Sequence, residues 1–369
     1  MRCRLARALL RPGLLCWAAP VRTLRWRAGW RPHPRVLAEA RRILVIRPDE
    51  IGDVVLTVPF LRELRRAAPV AKIALAVKPA CRELLEYCPY VDAMYAVDFT
   101  SGSARLLRHM CDAWALRLGH ESVFGFDLVL LPRRGIDHGD AGFLSHVAAG
   151  RGTVMTALGS CKASPNSMHE VMWNLRFLEH CGATLHDDGR LEIWLTAADR
   201  RFAAEVIGGV SCIAFGCGAG DAARRWPLDR FAAVAGRLAC EFGVLTVQLG
   251  ASGEPSFGAG LDLVGHTTLR QAAAVMERAA LFVGNDSGLK HLAAAVGTPV
   301  VEISAFSRCG DPDHPNSPAR FHAWGVPQRV VQPPPGASVL AITEIDVASV
   351  MAACRDVLAT SESACAVPA

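Results

Sequence analysis

Two glycine-acid turns constrain this chain more than any other feature of it. Ile51-Gly52-Asp53 follows an apolar run and opens a helical stretch, and Gly284-Asn285-Asp286-Ser287-Gly288 does the same far along the chain. Parallel strands need a crossover, so an apolar strand that runs through a short turn into a helix is the building unit of a parallel sheet. The loop at the carboxyl end of such a strand faces a crevice. The helix that follows turns unpaired N–H groups and a positive dipole end towards it. Two such loops, one in each half of the chain, predict two α/β domains facing one cleft.

A chain of 369 residues exceeds the roughly 250–300 at which a single core stops growing, so two cores are expected. Ordered structure is predicted to begin at Arg42. The run Ile43-Leu44-Val45-Ile46, bounded by Arg42 and Arg47, has the continuous apolar character of a strand covered on both faces. Asp49 and Glu50, which precede the first glycine, are expected to face solvent. Further strands are predicted at 72–77, 93–97 and 126–131, with helices at 54–67, 81–88 and 103–118. After a helix at 168–181 and a strand at 191–195 the cycle restarts. Its strands are predicted at 212–215, 243–249, 281–283 and 299–303, and its helices at 228–241, 268–278 and 288–295. Strand and helix in alternation define the α/β class. The expected organisation is a leader over 1–41, domains at 42–200 and 201–359 with their border near 196–210, and a frayed tail over 360–369 after a closing helix at 345–359.

The charge is uneven. Residues 1–42 hold eleven Arg against one acid, Glu39, which puts +10 there and leaves −5 for the remainder of a chain whose net charge is +5. Interleaved with Leu9, Leu10, Trp17, Trp26 and Trp30, this leader suits an anionic membrane surface. A plain disordered leader is the alternative. Arg11 and Pro12 interrupt the apolar stretch that a secretory signal needs, so a cytoplasmic protein, with or without peripheral attachment to the inner membrane, is expected. Although 51% of residues are hydrophobic, no charge-free apolar run approaches the roughly 18 residues of a membrane span. The thirteen Cys and twelve His are scattered without ligand spacing, so the Cys are expected to be reduced core residues and no metal is expected.

Three places carry candidate chemistry. Asp53, where the first helix begins, is either an N-cap or first-turn acid that complements the dipole or a carboxylate at the mouth of the cleft that takes a proton from an attacking hydroxyl. The loop Gly216-Cys217-Gly218-Ala219-Gly220-Asp221 leads into Arg224-Arg225-Trp226-Pro227. Bare glycines there admit a phosphate and two Arg can neutralise a diphosphate, the alternative being a simple connector with solvated Arg. Residues 281–303 pack strand, turn, helix, turn and strand into one unit. Gly284, Asn285, Asp286, Ser287 and Gly288 form its turn, with Lys290 and His291 on the first turn of the helix. The readings are an ordinary capped βαβ element or a second phosphate cradle with a cation beside it. A nicotinamide enzyme is disfavoured because the first turn lacks GxGxxG.

RILVIRPDEIGDVVLTVPFLREL at 42–64 and LFVGNDSGLKHLAAAVGTPVV at 281–301 resemble glycosyltransferase family 9, the ADP-heptose:lipopolysaccharide heptosyltransferases. His169-Glu170 and the RRWP of 224–227 add weaker support, and the likeness runs from about Arg42 to Leu358. The resemblance implies a GT-B architecture of two Rossmann-like domains, with acceptor on the N-terminal one and nucleotide sugar on the C-terminal one, and no metal or other cofactor. It places the general base on Asp53 and, beside it, acceptor contacts on Arg47 and Gly52. Donor contacts fall on Gly216, Gly218, Arg224, Arg225, Gly284, Asn285, Asp286, Ser287, Gly288, Lys290 and His291. The implied partners are a nucleotide sugar and a lipid-linked glycan, with no nucleic acid. Arg224 stands where the family usually has Lys, and Lys290 replaces an apolar residue, which adds a phosphate contact in this reading. Residues 304–325 depart from the better known core enzymes. The expected activity is inverting sugar transfer, with a nucleotide-sugar epimerase of the same architecture or a non-catalytic nucleotide-binding protein as alternatives.

Overall fold

The computed structural model describes residues 22–25, 36–97, 125–132, 152–156, 168–312, 314, 317–334 and 341–365. Two six-stranded sheets form the framework, and every pairing in them is parallel. The N-terminal sheet has β1 (Arg22–Arg25), β2 (Arg42–Arg47), β3 (Lys72–Val77), β4 (Ala93–Ala96), β5 (Leu128–Leu131) and β6 (Thr153–Thr156), in the order β1-β6-β5-β2-β3-β4. The C-terminal sheet has β7 (Cys212–Gly216), β8 (Leu245–Leu249), β9 (Leu261–Asp262), β10 (Ala279–Asn285), β11 (Val300–Ile303) and β12 (Gln328–Val331), in the order β12-β11-β10-β7-β8-β9. Each order reverses beside the first long strand, at β2/β5 and at β7/β10. In open parallel sheets that switch point is where ligands enter. Both glycine-acid turns lie there, at the carboxyl ends of β2 and β10.

The helices are α1 (Val36–Glu39), α2 (Ile51–Val55), α3 (Val58–Ala67), α4 (Glu170–His180), α5 (Ala197–Ile207), α6 (Leu228–Phe242), α7 (Leu269–Glu277), α8 (Gly288–Ala295), α9 (Pro318–Phe321) and α10 (Val347–Cys365). Side chains alternate across a strand, and β2 shows the consequence. Ile43 and Val45 enter a core shared with α3 and α4, while Leu44 and Ile46 enter a second core with Val129 and Val154 on the opposite face. The C-terminal sheet repeats this, with Ala214 and Phe282 on one face and Ile213, Phe215, Leu281 and Val283 on the other, under α6 and α10. The first of these cores runs without a break from one lobe into the other.

The structure departs from the sequence reading in several places. The N-terminal lobe reaches back behind Arg42: β1 is an edge strand beside β6, and α1 lays Leu37 against the core. The stretch expected as a strand at 191–195 has no ladder partner among the described residues, although Leu191 is buried. The border at residues 200/201 cuts through α5, a helix capped by Thr196 and packed on α7 of the C-terminal lobe. The stretch 81–88 is a 3-10 helix at Pro79–Leu85, and α10 continues past residue 359. The helix expected at 103–118, and the leader apart from 22–25 and 36–41, lie outside the described residues.

Candidate active site

Arg47 ends β2 and is fully buried, an arrangement that costs heavily unless the guanidinium is paired. Its Nε lies 3.0 Å from Asp49 Oδ2, its Nη2 lies 3.2 Å from Glu170 Oε1 and 3.4 Å from Asp53 Oδ1, and its Nη1 donates to Asn174 Oδ1 at 3.4 Å. Burial works against the charged form, but Asp49, Glu170 and Asp53 outweigh it and raise the pKa, so Arg47 remains a fixed cation. Asp49 therefore does not face solvent as expected. Its side chain is only 9% exposed because Arg47 needs it, whereas Glu50 is exposed and pairs with Lys78. Glu50, not Asp53, stands at the N-cap of α2. Asp53 sits in the first turn with its side chain 28% exposed and one oxygen directed at Arg47. Its backbone carbonyl accepts from Thr57 Oγ1 at 2.7 Å, which fixes the turn leading into α3.

In the C-terminal lobe Asn285, at the end of β10, is fully buried. Its Oδ1 accepts from the Trp226 backbone N–H at 3.0 Å and its Nδ2 donates to the Cys217 carbonyl at 2.7 Å, tying both segments after β7 to the end of β10. Both ends of the amide are thus occupied by the protein, which makes Asn285 a brace for the expected donor loop. Arg225 plays a similar part, its Nε donating to the Ala219 carbonyl at 3.0 Å. Asp286 joins two cations, with Arg224 Nη1 at 3.3 Å and Lys290 Nζ at 2.6 Å. Lys290 is fully buried, and its Nζ also lies 2.8 Å from Glu302 Oε1. Both carboxylates claim the ammonium, so the phosphate contact expected of Lys290 is replaced by a link from Asp286 into the sheet. Arg224 is about a quarter exposed and is the cation of this group that reaches the surface.

The glycines have separate reasons. A Cβ on Gly216 or on Gly284 would stand 2.7 Å from Cζ of Phe282, so this neighbouring pair of bare positions makes room for that ring. A Cβ on Gly218 would meet the Glu254 carboxylate at 2.2 Å, and Glu254 Oε2 is held there by the Ala251 N–H at 2.9 Å. Gly52 and Gly288 bring the lobes together. A Cβ on Gly52 would lie 2.6 Å from Cδ2 of His291, and one on Gly288 would lie 3.1 Å from Cβ of Ile51. The N-terminal turns of α2 and α8 therefore pack directly on each other. Beside this contact the Ser287 hydroxyl and His291 Nδ1 are buried without hydrogen-bond partners among the described residues.

Among the described residues further bridges cross between the lobes at three places, none of them assigned from sequence. Glu170 accepts from Arg47 through Oε1, while its Oε2 lies 3.5 Å from Arg320 Nη2, so one carboxylate joins arginines of opposite lobes. The adjacent His169 caps α4: its Nδ1 accepts from the Val171 N–H at 3.3 Å, which leaves Nε2 to donate to the His322 carbonyl at 3.0 Å, and Trp324 stacks on the ring. The Glu83 carboxylate accepts from the N–H groups of Leu269 and Arg270 at the start of α7. Arg320, His322 and Trp324 come from the stretch 304–325 that sets this chain apart, and no motif marks them. Glu302 does carry a signal, a carboxylate inside the apolar strand Val300–Ile303.

Burial lowers the pKa of His169 to about 3, with His322 adding to the effect, and lowers those of His291 and His322 as well. An unfolded chain protonates these imidazoles near pH 6.5, while the folded protein leaves His169 neutral down to about pH 3. The unfolded state therefore binds more protons over that window, and stability falls as the pH falls through it, by about 1.4 kcal/mol per pH unit for one such group. The melting temperature is expected to drop between pH 7 and pH 5, and His169→Gln is expected to flatten that slope. A slope unchanged by the substitution would contradict the assignment.

This arrangement has counterparts among known proteins. Residues 163–308 match the family model described as glycosyltransferase family 9 (heptosyltransferase). Over this segment the chain is similar to glycosyltransferase family 9. The match takes in α4 and the C-terminal lobe as far as the loop after β11. Over 294 residues the chain is 25% identical to lipooligosaccharide heptosyltransferase 2 of Haemophilus ducreyi, covering 72% of this chain and 83% of that protein. The family 9 glycosyltransferase structure from Veillonella parvula superposes with a TM-score of 0.71 at 22% identity, covering 87% of this chain and 98% of the other. The structure of ADP-heptose lps heptosyltransferase II of E. coli superposes with a TM-score of 0.66 at 20% identity, covering 87% and 99%. The resemblance read from the two motifs is borne out, as are the α/β GT-B architecture and the class of enzyme: the chain is a glycosyltransferase. Among the described residues no helix is long and apolar enough to cross a membrane, and no three His, Cys, Asp or Glu side chains are grouped to hold a metal ion.

Proposed function

We propose that this glycosyltransferase moves a heptose from ADP-heptose to a lipopolysaccharide or related cell-surface glycan, with inversion at the anomeric carbon and without a metal. The observation that carries the reading is the direct packing of Gly52 on His291 and of Gly288 on Ile51. It puts the Asp53 turn of one lobe against the Asp286–Ser287 turn of the other, each at its sheet's switch point. In this reading the N-terminal lobe holds the acceptor and the C-terminal lobe the donor. The Asp53 carboxylate takes the proton of the acceptor hydroxyl as its oxygen attacks the anomeric carbon. The bond to the departing diphosphate breaks as that bond forms. Arg224 and the N–H groups at the start of α8 meet the charge released, the electrostatic contribution that commonly dominates in such sites. Arg47 Nη2, 3.4 Å from Asp53 Oδ1, fixes the direction of that carboxylate. The names of the Haemophilus and E. coli relatives support heptose as the sugar and a lipopolysaccharide-type acceptor. Transfer to a lipid-linked acceptor places the enzyme at the cytoplasmic face of the membrane, where the basic leader would meet anionic headgroups.

The test is a panel of nucleotide sugars, including ADP-heptose, incubated with and without a lipopolysaccharide core acceptor while released nucleotide diphosphate is followed by mass. Release from ADP-heptose that depends on acceptor is expected. Isomerisation of a donor in the absence of acceptor would favour an epimerase instead. Charge-assisted contacts contribute about 1.5–3 kcal/mol, so Arg224→Ala is expected to raise the KM for donor by roughly 10- to 100-fold. Arg224→Lys, which restores a cation, is expected to recover most of that loss. Equal KM values for all three proteins would remove Arg224 from the donor site.

A further inference from the structure

Four charged side chains are linked in the C-terminal lobe: Arg224 to Asp286 at 3.3 Å, Asp286 to Lys290 at 2.6 Å, and Lys290 to Glu302 at 2.8 Å. Lys290 and Glu302 are each about 1% exposed and Asp286 is 13% exposed, so the group is sealed from solvent except at Arg224. With both carboxylates ionised it is neutral. A buried group of this kind tolerates little net charge. The Oε2 atom of Glu302 is buried with no hydrogen-bond partner among the described residues, so no donor there offsets its negative charge.

We infer that Lys290 and Glu302 are the counter-charge for Asp286, and that donor binding is coupled to proton uptake at Glu302. The inference rests on the reading that Arg224 meets the donor diphosphate. When Arg224 turns from Asp286 to the diphosphate, Asp286, Lys290 and Glu302 are left with one excess negative charge next to an anion. Protonation of Glu302 Oε2 removes that charge: one O–H bond forms, the proton comes from the bulk through buffer, and Lys290 is freed to serve Asp286 alone. Lys290 and Glu302 are thus positioning residues. They let Arg224 change partner without leaving Asp286 unpaired.

The charged surroundings agree with this. Burial pushes the Glu302 carboxyl up to about 7, with Asp286 adding to the rise and Lys290 opposing it. Burial works against ionised Asp286 too, but Lys290 and Arg224 outweigh it and lower its pKa, so the proton goes to Glu302. Lys290 is raised, its two carboxylates overcoming the cost of burial. On the far side of Lys290, His291, His169 and His322 are held neutral by burial, with Lys290 contributing. On β12, next to β11, Arg329 is taken by Asp356.

Titration calorimetry of ADP into the full chain at pH 8, in two buffers of different ionisation enthalpy, measures the protons exchanged. At that pH the free Glu302 is mostly ionised. A rise of its pKa by one unit or more on binding takes up roughly half a proton per ADP. Wild type is expected to show this uptake, and Glu302→Gln is expected to bind ADP with uptake near zero. The double variant Lys290→Met, Glu302→Leu removes the titrating group with its partner and is expected to lose the uptake in the same way. Binding of ADP by wild type without uptake overturns the inference, as does uptake undiminished in a variant. Failure of wild type to bind ADP is a different result, which overturns the donor reading beneath it.

Discussion

Asp53→Asn is expected to lower kcat for sugar transfer by about 10²- to 10⁴-fold, the range attributable to a positioned general base. The substitution keeps the shape and removes the charge that accepts the proton. Its structural cost is small. Arg47 retains Asp49 at 3.0 Å and Glu170 at 3.2 Å, Asp53 is not the N-cap of α2, and the turn is held by a backbone carbonyl that Asn also supplies. The affinity for ADP should stay within about twofold of wild type, because the contacts proposed for the diphosphate belong to the opposite lobe. Loss of turnover with intact nucleotide binding separates a base from a structural acid. Undiminished turnover would show that another group takes the proton.

Trp226→Ala is expected to cost about 3–5 kcal/mol, the usual range for emptying the site of a fully buried aromatic residue. Trp226 is 1% exposed and packs edge-on to Phe231 at 5.0 Å. Its Nε1 donates to the Ile345 carbonyl at 2.9 Å, and its backbone N–H is the donor that Asn285 accepts. The truncation leaves a cavity under α6 and α10 and strips the Ile345 carbonyl of one donor, although Arg230 continues to bond it. In a lobe of this size 1 kcal/mol corresponds to roughly 2–4 °C, so the melting temperature should fall by roughly 6–20 °C. Arg224 lies two residues before Trp226, so donor KM should rise as well. Trp226→Phe, which keeps a ring, should cost much less. A melting temperature unchanged by Trp226→Ala would contradict the role given to this anchor.

Much of the architecture was legible because it rests on local signals. Continuous apolar runs at β2, β3, β7 and β10 mark strands covered on both faces, and residues 288–295 carried the boundaries of α8 as they stand. Signals failed where a partner decides the outcome. Residues 191–195 have strand composition but find no neighbouring strand among the described residues, while Arg22–Arg25 sits in an arginine-rich stretch and is nevertheless a strand, paired with β6. At the site, Asp53, Arg224 and the two turns stood out because glycine, acid and helix start fall together in sequence. Glu170 and Arg320 did not, since their meeting spans 150 residues and exists only when the lobes are together. Asp49 was misplaced for a related reason. Nothing local reveals that Arg47 is buried and in need of carboxylates. Nothing local to Lys290 shows that it is buried, because Glu302, one of the carboxylates that hold it, lies twelve residues on in β11.

The account turns on a single displacement in which Asp53 activates the acceptor from one lobe while the other lobe holds the departing diphosphate. The anomeric configuration of the transferred sugar tests this most directly, read by NMR on the product formed by wild type from a donor of known configuration. Inversion is the predicted result. A product with the donor's configuration retained would mean two displacements or a front-side mechanism, and would contradict the role proposed for Asp53.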